Sequence, residues 1–103
     1  MGQQVLRIEG LPESALEAAA AFHAEWLTAL LDAPPAGEDL VLVFPPVPYD
    51  HRGWRLAALQ DLARAAAPLR VNGVAGDDER AIEEAVAWLA TAPGVTGQLL
   101  ALD

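Results

Sequence analysis

Tyr49, Asp50, His51 and Arg52 stand side by side after an apolar run and a proline-rich link. Their types could do chemistry. A carboxylate can orient an imidazole that serves as general base, and a guanidinium can hold an anion beside them. Adjacent residues rarely converge on one substrate atom, however, and Asp-His is also an ordinary way to start a helix. The plainest reading is a loop with a helix cap. A small-ligand loop formed by these four residues comes second, and an enzyme built on Asp50 and His51 third. The other histidine, His23, shares a helical stripe with Leu16, Ala20, Leu27 and Leu30, so it is expected to be a hydrogen-bonded, buried or half-buried side chain. Two histidines on separate segments and no cysteine leave no metal set. Asp77, Asp78 and Glu79 read as a capped helix start, with Asp77 as the cap.

What is missing narrows the chemistry further. The chain has no lysine, since all six basic residues are arginine, and it has one serine, Ser14, and one tyrosine, Tyr49. Arginine cannot replace lysine where a group must shift its pKa or form a Schiff base. An alanine- and arginine-rich composition of this bacterial type also favours arginine without any functional cause.

The elements that would position these residues alternate. QVLRIE, 4–9, reads as a strand, and residues 12–32 as a helix with Pro12 in its first turn. DLVLVF, 39–44, is a continuous apolar run and so a strand buried on both faces. A second helix covers about 52–67, stopped by Pro68. LRVNGVA is a third strand, the third helix runs from Asp77 to about Ala92, and VTGQLLALD holds the last strand. The order β-α-β-α-β-α-β predicts a three-layer α/β domain with a four-stranded parallel sheet in chain order, right-handed crossovers, and helices on both faces. At 103 residues this is one domain, 1–103, burying about 60–65% of its unfolded surface.

The second half of the chain, about 55–103, resembles the carboxyl end of the short-chain dehydrogenase/reductase family. The words that carry the likeness are LAALQDLARAAAP, RVNGVAG and ERAIEEAVAWLATAPGVTGQLLALD. Val71-Asn72-Gly73-Val74 and Val95-Thr96-Gly97-Gln98-Leu99 before Asp103 are the most specific. The resemblance implies a half-Rossmann sheet, strands four to seven of the family's seven. The family's Gly-rich cofactor turn has no counterpart here, because Gly10 stands alone after its strand. The family's catalytic set is serine plus Tyr-x-x-x-Lys. Aligned on LAALQDLAR, the tyrosine position holds Arg52 and the lysine position Leu56, and the serine position falls in Phe44-Pro45-Pro46-Val47. Tyr49 does not restore the motif, since Gly53 follows it by four. Ala75-Gly76 leads straight into the last helix where the family carries a long substrate segment. By the same resemblance Asn72 is a structural hydrogen-bonder. The expectation is therefore no catalysis, no nucleotide cofactor and no metal.

A net charge of −9 argues against nucleic acid and anionic membrane. No apolar run reaches the ~20 residues of a span, and no signal-peptide pattern opens the chain, so a cytoplasmic location is expected. Both early helices carry more apolar surface than one sheet-facing side needs. Leu16, Ala20, Leu27, Leu30 and Leu31 lie beside Ala15, Ala19, Phe22, Trp26 and Ala29, and the second helix adds Trp54, Ala58 and Ala65. The spare sides predict a homodimer through helices 12–32 and 52–67, with Phe22, Trp26, Trp54 and Ala58 at the seam. The family dimerises through these two helices as well, and a complete dehydrogenase is a further candidate partner. The leading expectation is thus a non-catalytic, oligomerising protein. The alternative is a small-ligand-binding protein using loops at the carboxyl ends of the strands.

Overall fold

Six residues set the architecture. Along β2 (Asp39–Phe44), Leu40, Leu42 and Phe44 point to one side of the sheet and Val41 and Val43 to the other, and all five are buried. A strand without a polar face must sit inside a sheet covered by helices on both sides. The computed structural model, which describes residues 2–32 and 37–102, shows that arrangement. Four parallel strands, β1 (Gln3–Arg7), β2, β3 (Val71–Ala75) and β4 (Leu99–Ala101), lie in the order β1-β2-β3-β4.

The helices divide unequally between the faces. The first helical arm, α1 (Ala15–Ala21) to α2 (Thr28–Asp32), packs with α3 (Arg52–Ala66) over Leu40, Leu42 and Phe44. Helix α4 (Glu79–Ala90) covers Val41, Val43 and Val74 through Ile82 and Leu89. All three crossovers step the same way across the sheet, two over one face and one over the other, so they cannot share a hand. This corrects the expectation of uniformly right-handed crossovers. The third connection takes the rarer course because α4 must close the face that the other two leave open.

The first arm also departs from a regular helix. Ser14 caps it by accepting from the Glu17 N–H, a Ser-x-x-Glu start two residues beyond Pro12. Phe22–Leu27 between α1 and α2 is a π segment, with helical backbone on either side. A π turn holds more residues than an α turn and so resets the phase of the apolar stripe. Phe22, Trp26 and Leu27 within it and Leu30 after it therefore all reach the same core. What reads in the sequence as two adjoining apolar stripes is largely one inner face carried through a phase shift. The linker Ala33–Ala36 and Asp103 lie outside the described residues, and so do the side chains of Leu31 and Asp32.

Arg70 fastens the edge of the sheet at which the strands begin. Its backbone N–H and side chain bind Asp39, with Nη2 2.8 Å from Oδ2, and Nη1 reaches the carbonyls of Leu89 and Ala92 at the end of α4. One cation thus joins β2, β3 and α4 and meets the negative end of a helix dipole. Asn72 fixes β4 in turn, donating to Val95 O at 2.9 Å and accepting from Gln98 N at 3.0 Å, while Gly97 makes the turn at φ +71°. Arg70→Leu should lower unfolding stability by about 2–4 kcal/mol, because Asp39 and two carbonyls lose a half-buried partner. A urea midpoint unchanged from wild type would show that this junction contributes nothing.

Candidate functional site

The strands end at one edge. There the segment Pro45–Asp50 leaves β2 with every residue at least partly exposed, passes through a 3-10 turn (Tyr49–His51) and enters α3. Between this segment, the start of α3 and the ends of β3 and β4 lies an open cleft of about 380 Å³. Pro46, Val47, Leu99 and Ala101 give it apolar walls, and Tyr49, Arg52 and Arg55 supply its polar groups. A second hollow of about 170 Å³ opens on the α4 side of Pro46, bordered by Arg7, Glu9, Asp77 and Glu79.

The four residues of the polar cluster do not form one site. Tyr49 is 84% exposed, Asp50 is exposed away from the cleft lining, and Arg52 is exposed on the cleft. His51 turns the other way and is 2% exposed. Its Nδ1 accepts from the Trp54 indole N–H at 3.2 Å, which leaves Nε2 as the protonated nitrogen donating to Glu13 O at 2.9 Å. Both nitrogens are occupied by structure, so no Asp50–His51 dyad exists. His51 is also more than a cap, because it ties the entry of the first helical arm to α3. His23 is hydrogen-bonded through Nδ1 to Ala19 O at 2.7 Å, but it is exposed rather than buried, because α1 packs through Ala18 and Phe22 and turns the stripe of Leu16, Ala20 and His23 to solvent. Asp78, not Asp77, caps α4, its Oδ1 accepting from the N–H groups of Arg80 and Ala81. No cluster of three metal-binding side chains occurs among the described residues.

The proposed seam residues are placed in the chain's own core. Phe22 is 0% and Ala58 1% exposed, and Trp26 and Trp54 pack partly buried against the same cluster. Phe22, Phe44 and Trp54 form an aromatic group with centroids 5.4–6.0 Å apart. These side chains are consumed in covering the sheet, so a seam built on Phe22 and Ala58 is corrected. Among the described residues, Leu16 is the only exposed large apolar residue on either helix. A charge at Trp26 would report on folding rather than on association.

The residue that sequence reasoning missed is Arg55. It is 3% exposed, stacked with Cζ 4.6 Å from the Phe44 ring centroid and 5.8 Å from that of Trp54. Nη1 donates to Pro45 O at 3.0 Å, and Nε is buried with no hydrogen-bond partner. Burial pushes its pKa down to about 10, so it is still a cation at neutral pH. The signal was present: Arg55 falls on the stripe of Ala58, Leu59, Leu62 and Ala63, the inner face of α3.

A protein-family model described as SDR-like, short chain dehydrogenase-like protein, matches residues 6–102. No curated protein gives a match, and no solved structure does either.

His51→Ala removes two buried hydrogen bonds and a packed ring, so it should cost about 2–3 kcal/mol in urea unfolding, more than the ~1 kcal/mol of a lost cap. A loss at the level of a cap would return His51 to a loop role. Arg55→Met should act in the opposite sense, raising stability by about 1–3 kcal/mol at pH 7 by removing an unpaired buried charge. That gain should shrink as pH climbs above about 10, where the unfolded chain still holds the proton that folded Arg55 has released. A destabilised variant at pH 7, or a gain independent of pH, would contradict this account.

Proposed function

This chain belongs to the short chain dehydrogenase-like family, and from that premise we propose that it is a non-catalytic binding protein that takes a small molecule into the cleft at the ends of β2, β3 and β4. The observation that supports this most is the cleft itself. Its volume of about 380 Å³ lies in the lower part of the ~300–1,000 Å³ range of ligand sites, and it opens at the edge where parallel sheets bind ligands. Absence of catalysis is argued from the residue types. The chain has no lysine to assist a tyrosine acid, and by the family resemblance Arg52 and Leu56 stand in the two catalytic positions. Arg52 faces the cleft, whereas Leu56 is half-buried.

Self-association remains a second reading, moved from the helices to β1. That strand pairs only with β2, its other edge is free among the described residues, and Val5 is 42% exposed. Pairing of two such edges across a two-fold axis would join two sheets. Arg7, which would blunt the edge, is held back in an ion pair with Glu79 at 2.7 Å. A complete dehydrogenase could occupy the same edge as a hetero-partner. Among the described residues no helix is long and apolar enough to cross a membrane.

The binding reading is tested by native mass spectrometry of protein purified from its own source, followed by Ala101→Trp. Ala101 is exposed on the cleft wall, so the indole should fill the cleft and expel a co-purified ligand without unfolding the protein. Retention of the ligand would place it elsewhere. Calorimetry with NAD(H) and NADP(H) should show no binding up to about 1 mM, and micromolar affinity would refute the non-catalytic reading. Sedimentation tests the second reading. A dimer that becomes a monomer on Val5→Lys supports edge pairing, and one that ignores the substitution excludes it.

A further inference from the structure

The chain carries 15 acidic residues against six arginines, so a carboxylate partner should be easy to find. Four arginines have one: Arg7 with Glu79, Arg64 with Asp61, Arg70 with Asp39 and Arg80 with Glu84. Arg52 and Arg55 have no carboxylate partner among the described residues, and both line the same cleft. Among the described residues no aspartate or glutamate lines that cleft, whereas the neighbouring hollow is bordered by Glu9, Asp77 and Glu79. In an acidic protein, two cations with no carboxylate partner among the described residues converge on a ligand-sized opening at the carboxyl edge.

Their settings are complementary. Arg55 is 3% exposed and held in orientation by Phe44 and by its bond to Pro45 O, while Nε stays without a partner. A guanidinium fixed in this way keeps donors for an acceptor and loses little side-chain freedom on binding. Arg52, one helical turn earlier and exposed, can close over the outer side of the same anion. Resting on the binding reading above, we propose that the cleft holds a small organic carboxylate, with its charged end on Arg55 and Arg52 and its apolar body against Val47, Leu99 and Ala101. A carboxylate suits the planar fork of arginine. The walls of proline, valine, leucine and alanine favour an apolar body over a bare inorganic anion, which would leave that surface wet.

Calorimetry at pH 7 with hexanoate and phenylacetate, their neutral amides, and inorganic phosphate tests the assignment. The acids should bind in the millimolar range or tighter, and the amides and phosphate at least about tenfold more weakly. Arg52→Ala should weaken the acids about three- to tenfold, and Arg55→Met, checked for folding by circular dichroism, should abolish their binding at about 10 mM. Amides that bind as well as acids would overturn the anion assignment and leave the cleft a ligand site. Phosphate binding more tightly than the acids would overturn the ligand class. Failure of both acids at about 10 mM would sink the inference, while Ala101→Trp and the co-purified ligand judge the broader reading separately. Should Arg55→Met fail to fold, unchanged acid affinity in Arg52→Ala is sufficient to reject the site.

Discussion

The double burial of β2 is the constraint on which the rest depends. With all five residues from Leu40 to Phe44 removed from water, neither face of the sheet can be left to solvent. One helix cannot cover both sides, so the chain must send helices over each. The two helical layers, the opposite hand of the last crossover and the aromatic group beneath α3 all answer that requirement. The sheet is small, and β2 and β3 are its only strands paired on both edges. The other parts hang from these two.

Most of this was legible in the sequence, because it rests on periodicity. The bounds of β2 match the apolar run between Asp39 and Pro45, and α3 ends one residue before the expected 67. The parallel strand order follows from alternation of strands and helices. The misses concern phase and direction. A π turn cannot be read from residue types, yet by resetting the stripe it brings Leu27 to the core of Phe22, Trp26 and Leu30, while Leu16, Ala20 and His23 face solvent. The expected dimer seam arose from that same unread phase shift. The hand of the last crossover depends on which face remains uncovered, a question about the assembled sheet rather than the strand-to-strand segment.

The candidate site divides along a similar line. Strand order alone puts Tyr49 and Arg52 at the carboxyl edge, where both line the cleft. Side-chain direction was not available, and direction decides function. His51 looks reactive by type, yet both its nitrogens are spent on Glu13 and Trp54. Arg55 looks like an ordinary helix residue, yet it is a cation set among aromatic rings with an unpaired N–H. Two side chains four positions apart exchange their expected roles. The histidine is architecture, and the arginine is the group with unused bonding capacity.

The brevity of β4 has a dynamic consequence. It pairs with β3 at three positions, against five each for β1 with β2 and β2 with β3. Its start is clamped by Asn72 and by Gly97 N–H to Val71 O, while beyond its end the backbone tie back to β3 is Leu102 N–H to Ala75 O. Fraying should therefore begin at Ala101 and Leu102, at the low end of the local opening free energies that hydrogen exchange reports. Ala101 is also the cleft wall. The fraying end and the cleft wall thus meet at Ala101, next to Leu102, so anything seated in the cleft should slow exchange there. The amide of Leu102 is thus a built-in reporter of occupancy, readable without knowing what the occupant is.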